Sequence, residues 1–203
     1  MRISYAITAC NEHEELDRLL NLLNTNIRDV DEVVIQLDIT ATEQVKNVCY
    51  KYPAFTLVEF PLNKDFASFK NNLKSKCTGE WIFQIDADEY LDPWLIQVLH
   101  TILEQNPTTE LFSVPRINTV KGLTQEHVAK WGWDVNEKGM VNFPDYQNRI
   151  IKNLPHIKWI NKVHEKIIGH TSFGFFPLDE EYCILHHKTI QKQELQNKLY
   201  NTI

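Results

Sequence analysis

Trp81-Ile82-Phe83-Gln84-Ile85-Asp86-Ala87-Asp88-Glu89-Tyr90-Leu91 is an apolar run of strand length that stops at three carboxylates within four residues. Side chains of a strand alternate with period two. A strand that carries Asp86 and Asp88 out of the carboxyl edge of a sheet therefore sets both on one side. Carboxylates that close repel each other unless a cation lies between them. Hard oxygens at i and i+2, joined by phosphate oxygens of a nucleotide, suit Mg²⁺ or Mn²⁺. The plainer alternative is a strand that ends in a solvated acidic turn, because so short a motif is common.

The pattern on either side of this strand narrows the choice. Ile3 to Ala9 reads as a buried strand that ends at Cys10-Asn11-Glu12. Leu16, Leu19, Leu20 and Leu23 form a helical stripe within Glu14 to Leu23. Glu32 to Leu37 is a second apolar strand, ending at Asp38. Thr42 to Tyr52 is a helix stopped by Pro53. Phe55 to Phe60 is a third strand. Phe66 to Cys77 is an amphipathic helix, with Gly79 as its C-terminal stop. After the acidic strand, Pro93 to Gln105 is a helix with proline in its first turn. Strands that are apolar throughout and alternate with helices predict an α/β fold, with a mainly parallel sheet covered by helices on both faces. Ligands in such sheets bind outside the carboxyl ends of the strands. Three polar groups fall there: Thr8 to Glu12, Asp38, and Asp86 to Glu89.

Beyond Pro107 the texture changes. Leu111 to Arg116 predicts a strand, and Asn118 to Pro144 a polar, turn-rich stretch holding Trp131 and Trp133. Short strand runs follow in Gln147 to Ile151 and Ile157 to Ile168. Tyr182 to His187 predicts a strand ending in paired histidines, and Gln191 to Ile203 a polar helix.

The 203 residues, 43% hydrophobic and 24% charged, fit a single globular domain. A net charge of −6 without a basic run argues against nucleic acid as a partner. No apolar stretch approaches the ~20 residues of a membrane span, so no transmembrane segment is expected, while peripheral membrane contact stays open. Cys10, Cys49, Cys77 and Cys183 lack C-x-x-C spacing, and reduced thiols in a cytoplasmic protein are expected. With 6 glycines and neither G-x-G-x-x-G nor G-x-x-x-x-G-K-[ST], any nucleotide phosphates must be held by metal and side chains.

Four segments resemble family 2 glycosyltransferases, inverting enzymes of the GT-A fold, and most of all the small bacterial lipopolysaccharide-core and phage-type members. They are Thr8-Ala9-Cys10-Asn11-Glu12, Phe66 to Leu73, Thr78-Gly79-Glu80-Trp81 leading to Asp86-Ala87-Asp88-Glu89, and Asn148-Arg149-Ile150-Ile151 followed by Val163-His164-Glu165 and His186-His187. Two departures stand out. Lys70 replaces the family's arginine, and Ile39-Thr40-Ala41-Thr42 replaces a Ser/Gly-rich turn with a second Asp.

The resemblance implies transfer of a sugar from a nucleotide-diphosphate sugar, a UDP-sugar favoured, to an acceptor hydroxyl with inversion. Residues 1–107 would form the nucleotide-sugar half and 108–203 a smaller acceptor half of one domain. It implies Mn²⁺ or Mg²⁺ on Asp88, with Asp86 on ribose or metal, and one of His186 and His187 completing the site. Thr8, Asn11, Glu12, Asp38, Lys70, Ala87 and Arg149 are the expected donor contacts. The general base is expected at Glu165, with Asp145 and Glu89 as alternatives. A carbohydrate or lipid-linked acceptor would stack on Trp131 or Trp133. Each residue has a structural alternative: a capping Asp38, a solvated Lys70, a Glu165 paired with Lys162 or Lys166. Rival readings are a nucleotidyltransferase, a silent sugar-binding protein, and a zinc hydrolase lacking the H-E-x-x-H motif.

Overall fold

The computed structural model of the chain describes residues 1–200. Its first half follows the expected alternation: β1 (Ile3–Ala9), α1 (His13–Asn26), β2 (Glu32–Asp38), α2 (Glu43–Tyr50), β3 (Thr56–Phe60), α3 (Phe66–Lys74), β4 (Trp81–Asp86), a two-residue β5 (Glu89–Tyr90) and α4 (Pro93–Gln105). Local chemistry sets the helix starts. The side chains of Thr42, Asp65 and Asp92 accept backbone N–H bonds at the openings of α2, α3 and α4.

Alternate residues of one strand serve two cores. Ile3, Tyr5 and Ile7 pack with Leu16, Leu20, Val45 and Leu99 of α1, α2 and α4. Ala6 packs with Leu73 of α3 and with Trp159 and Ile167 on the opposite face. Helices thus cover both faces of the sheet, which is why its central strands are apolar throughout.

The second half adds β6 (Leu111–Lys121), α5 (Gln125–Trp131), β7 (Val141–Lys152), β8 (Lys158–Ile160), β9 (Lys166–Ile168), β10 (Phe173–Phe175), β11 (Ile184–Thr189) and α6 (Ile190–Tyr200). The sheet order is β3-β2-β1-β4-β7-β6-β11-β5, with β10 also on β6; β8 and β9 form a separate hairpin. β7 runs antiparallel to both β4 and β6, so strands of both halves share one mixed sheet in which parallel pairs predominate.

Three expectations change. α3 stops at Lys74, with Ser75 as its cap, and Gly79 is no helix stop. A Cβ on Gly79 would meet Ser4 N and Oγ at 2.7 Å, so the glycine serves close approach to β1. The polar stretch 118–144 contains the end of β6, all of α5 and the start of β7. The strand expected from Tyr182 begins at Ile184, after a 3₁₀ turn at Glu180–Tyr182. The C-terminal helix runs to Tyr200, and residues 201–203 of its expected span lie outside the described residues. All four cysteines are free thiols. Among the described residues no helix is long and apolar enough to cross a membrane.

Candidate active site

The carboxyl ends of β1, β2 and β4 open on a cleft of about 1100 Å³, closed on its far side by β6, β7, β11 and the β8–β9 loop. Of the expected site residues, Thr8, Asn11, Glu12, Asp38, Lys70, Asp86, Ala87, Asp88, Asp145, Arg149, Glu165 and His186 line it. Glu89 and His187 do not. Sheet register does the placing. Thr8 lies beside Asp86, Arg116 opposite Asp145, His186 between Asn118 and Glu89.

Asp86 is held by protein groups on both oxygens. Oδ1 accepts from Thr8 Oγ1 and Gln84 Nε2, each at 2.9 Å, and Oδ2 from Arg149 Nη2 at 2.8 Å. Arg149 is buried. It also donates to Gln84 Oε1 and, at 2.5 Å, to Glu89 Oε1. Burial pushes the Asp86 carboxyl up, but Arg149 and Lys70, with the bonds from Gln84 and Arg149, outweigh it and hold it well below the usual range. Three donated hydrogen bonds thus hold Asp86, in contrast to Asp88.

Glu89, expected as a possible base, is buried beneath this layer. It accepts from Arg149, from Arg116 Nη1 at 3.1 Å and from Asp86 N at 3.0 Å, out of reach of any acceptor. Arg149→Met is expected to cost about 3–5 kcal/mol, because it removes the buried guanidinium that Asp86 and Glu89 share. The Asp86 contribution has a pH signature. A depressed carboxyl stabilises above its unfolded value of about 3.9 and loses that effect as pH falls through its folded value. Urea midpoints should fall below about pH 4 in the wild type, and Arg149→Met should weaken that acid dependence.

Asp88 leaves the strand in the turn after β4 and meets His186 of β11. His186 Nδ1 lies 2.7 Å from Asn118 Oδ1, while the Asn118 amide nitrogen donates to Asp145 Oδ2 at 2.8 Å. Asn118 Oδ1 is thereby fixed as an acceptor, and the imidazole proton sits on Nδ1. Nε2 faces Asp88 Oδ2 at 3.3 Å, an ion pair when the imidazole is protonated and an opening for a cation when it is neutral. One carboxylate plus one imidazole, completed by phosphate oxygens and water, fits a divalent cation. Among the described residues no three His, Cys, Asp or Glu gather as a metal centre, so substrate oxygens would have to complete the shell. His187 is corrected as a ligand: strand alternation turns it out of the cleft, exposed, onto Thr119 at 2.6 Å.

Two base candidates remain on the cleft wall. Asp145 accepts from Arg116 Nε and Nη2, Asn118 and Gln147. Burial raises its carboxyl, and these four contacts outweigh burial and hold it below the usual range. Glu165, in the β8–β9 loop, pairs with Lys70 Nζ at 2.5 Å. Asn71 holds that hairpin to α3, donating to Trp159 O at 2.8 Å and accepting from Trp159 N at 3.0 Å.

Asp38 stands at the end of β2 and accepts from Thr40 N at 3.3 Å. Glu12 folds back onto Cys10 N and Asn11 N at 2.9 and 3.0 Å, shaping the loop after β1. Trp133 lines the cleft, and Trp131 packs behind it with ring centroids 4.7 Å apart. Sequence reasoning missed Gln84, Arg116, Asn118 and Lys188. Their signal was present: Gln84 and Asp86, Arg116 and Asn118, and Asp145, Gln147 and Arg149 are polar at two-residue spacing within strands.

Residues 4–178 match the family described as Glycosyl transferase family 2. The chain belongs to glycosyl transferase family 2. No curated protein matches this family 2 sequence. Among solved structures, S. aureus TarS 1-349 is similar with a TM-score of 0.66 at 13% identity, over 92% of this chain and 60% of that one. TarS 1-349 in complex with UDP-GlcNAc gives 0.63 at 15%, over 93% and 59%. A mycobacterial protein, glucosyl-3-phosphoglycerate synthase from Mycobacterium tuberculosis with Mn²⁺, UDP and phosphoglyceric acid, reaches 0.47 at 15%, over 60% and 44%. This chain spans about three fifths of the length of TarS 1-349. The likeness to TarS is one of fold, a large central sheet flanked by helices, in agreement with the GT-A architecture expected of family 2.

Proposed function

We propose that this family 2 chain transfers a sugar from a nucleotide-diphosphate sugar, UDP-sugars favoured, to an acceptor hydroxyl with inversion. The observation that carries the reading is the Asp88–His186 pair, a carboxylate and an imidazole nitrogen facing each other across 3.3 Å at the mouth of the sheet. Mn²⁺ or Mg²⁺ held there would supply a Lewis acid for the departing diphosphate. The solved complex of TarS with UDP-GlcNAc, on the same fold, favours a uridine nucleotide.

The chain's own residues do the rest. Asp38 and Thr8 stand where base and ribose of a nucleotide would lie at the strand ends. Lys70 and Arg149 put positive charge on the diphosphate side. Glu165 takes the proton from the acceptor hydroxyl as that oxygen attacks the face opposite the leaving group. Residues 1–107 serve mainly the donor and 108–203 mainly the acceptor, a carbohydrate or a lipid-linked sugar, in the cytoplasm. Trp133 offers the apolar face on which an acceptor ring stacks. Trp133→Ala is expected to raise the acceptor KM about two- to tenfold and leave donor affinity unchanged, with Trp131→Ala weaker in the same direction. Loss of donor binding instead would assign the pair to the donor side.

The test of the reading is turnover: a panel of UDP-, GDP-, CDP- and dTDP-sugars with Mn²⁺, scored for nucleoside diphosphate release with and without sugar acceptors. Release from none of them by folded protein would remove the proposal.

A further inference from the structure

Lys70 is one of two charged side chains that meet across the cleft between α3 and the β8–β9 loop. It sits on the inward face of α3 beside Ala67, Phe69 and Leu73, and is nearly buried. Its ammonium lies 2.5 Å from Glu165 Oε1, with the two side chains only 10% and 19% exposed. Lys70, Asp86 and Glu165 line the same cleft. Lys70 thus stands between the wall where a diphosphate would lie and the carboxylate placed to receive the acceptor's proton. The ammonium occupies Glu165 Oε1, so that oxygen is not open to an acceptor hydroxyl while the pair is closed.

We propose that Lys70 couples donor binding to base release: it clamps Glu165 while the cleft is empty, and the donor diphosphate draws it away. This rests on the glycosyltransferase reading above and adds an order of events to it. A diphosphate brings more than one negative charge, against one on Glu165. A lysine suits an exchange of partners, because its compact charge rides on a flexible four-carbon stem, whereas the planar fork of arginine is committed to a bidentate geometry. Acceptor deprotonation, and attack by water in its place, then wait on the donor. Lys70 is a positioning residue in this scheme, acting through Glu165.

The exchange has a thermodynamic consequence that needs no acceptor. If the diphosphate must take Lys70 from Glu165, removing the Glu165 charge should tighten nucleotide binding. The experiment is a double-mutant cycle of UDP affinity by calorimetry with Mn²⁺, on wild type, Glu165→Gln, Lys70→Met and the double variant, each checked for folding by its melting temperature. GDP, CDP and dTDP stand in if UDP is not the preferred base. Glu165→Gln is expected to bind about three- to tenfold tighter than wild type, the range of coupling for contacting residues. The same substitution should change affinity little in the Lys70→Met background. Unchanged or weaker binding by folded Glu165→Gln overturns the coupling and leaves the transferase reading standing. Equal tightening in both backgrounds also overturns it, because simple removal of a negative charge would then suffice. Failure of folded wild type to bind any of the four nucleotides overturns the transferase reading and the coupling with it.

Discussion

Glu165→Gln should turn over about 10²–10⁴-fold more slowly than wild type while keeping its fold and its donor. The substitution preserves shape and a hydrogen-bond acceptor for Lys70, but an amide oxygen has no useful basicity. The structural alternative, a lysine partner that merely ties the β8–β9 loop to α3, gives another result: a modest drop in melting temperature and full turnover per folded molecule. Measuring kcat and melting temperature on one preparation separates them. Full activity would move the role to Asp145, the other carboxylate on the acceptor wall, although four donated hydrogen bonds already occupy it. Glu89 is no substitute, being buried between two guanidiniums. Inversion has its own check. The anomeric configuration of the product, read by proton coupling constants, should be opposite to that of the donor, and retention would overturn the single displacement.

Asp88→Asn should weaken Mn²⁺ binding in the presence of UDP by about 100-fold or more, since it removes the anionic member of a two-ligand set. Loss of the free-ion Mn²⁺ resonance on titration with protein reads this directly. The fold should survive: Asp88 lies in a turn, and a carboxamide can still meet His186 and Lys188. Asp86→Asn should behave differently. It leaves Arg149 with a diminished partner and lowers stability, with a smaller effect on the metal. Equal losses of Mn²⁺ affinity in the two variants would show that both carboxylates act on the cation, against the separation of roles drawn from their hydrogen bonds.

The first half was legible because its signals are redundant. Leu16, Leu19, Leu20 and Leu23 mark α1, Pro93 opens α4, and β1, β2 and β4 are apolar from end to end. In the second half those signals fail for physical reasons. α5 buries no residue and is fixed instead by Thr124 and His127 at its start, so no apolar stripe announces it. Pro144 lies inside β7, where proline reads as a break. β5 is two residues long and exists through its pairing with β11.

The site divides the same way. That Asp86 and Asp88 stand at a sheet edge followed from alternation and apolarity. That they have different partners did not, because Arg149 reaches Asp86 from 63 positions away in the chain. Which histidine faces inward depended on the register of β11 against β6, and no local pattern encodes that.

The most direct measurement is calorimetric titration of the wild-type protein with UDP, GDP, CDP and dTDP, each with and without Mn²⁺. A cation held by Asp88 and His186 and completed by diphosphate oxygens requires one nucleotide, UDP foremost, to bind with Mn²⁺ and to lose most of its affinity without it. Binding of equal strength in both conditions, or none in either by folded protein, would contradict a metal-held diphosphate at this cleft.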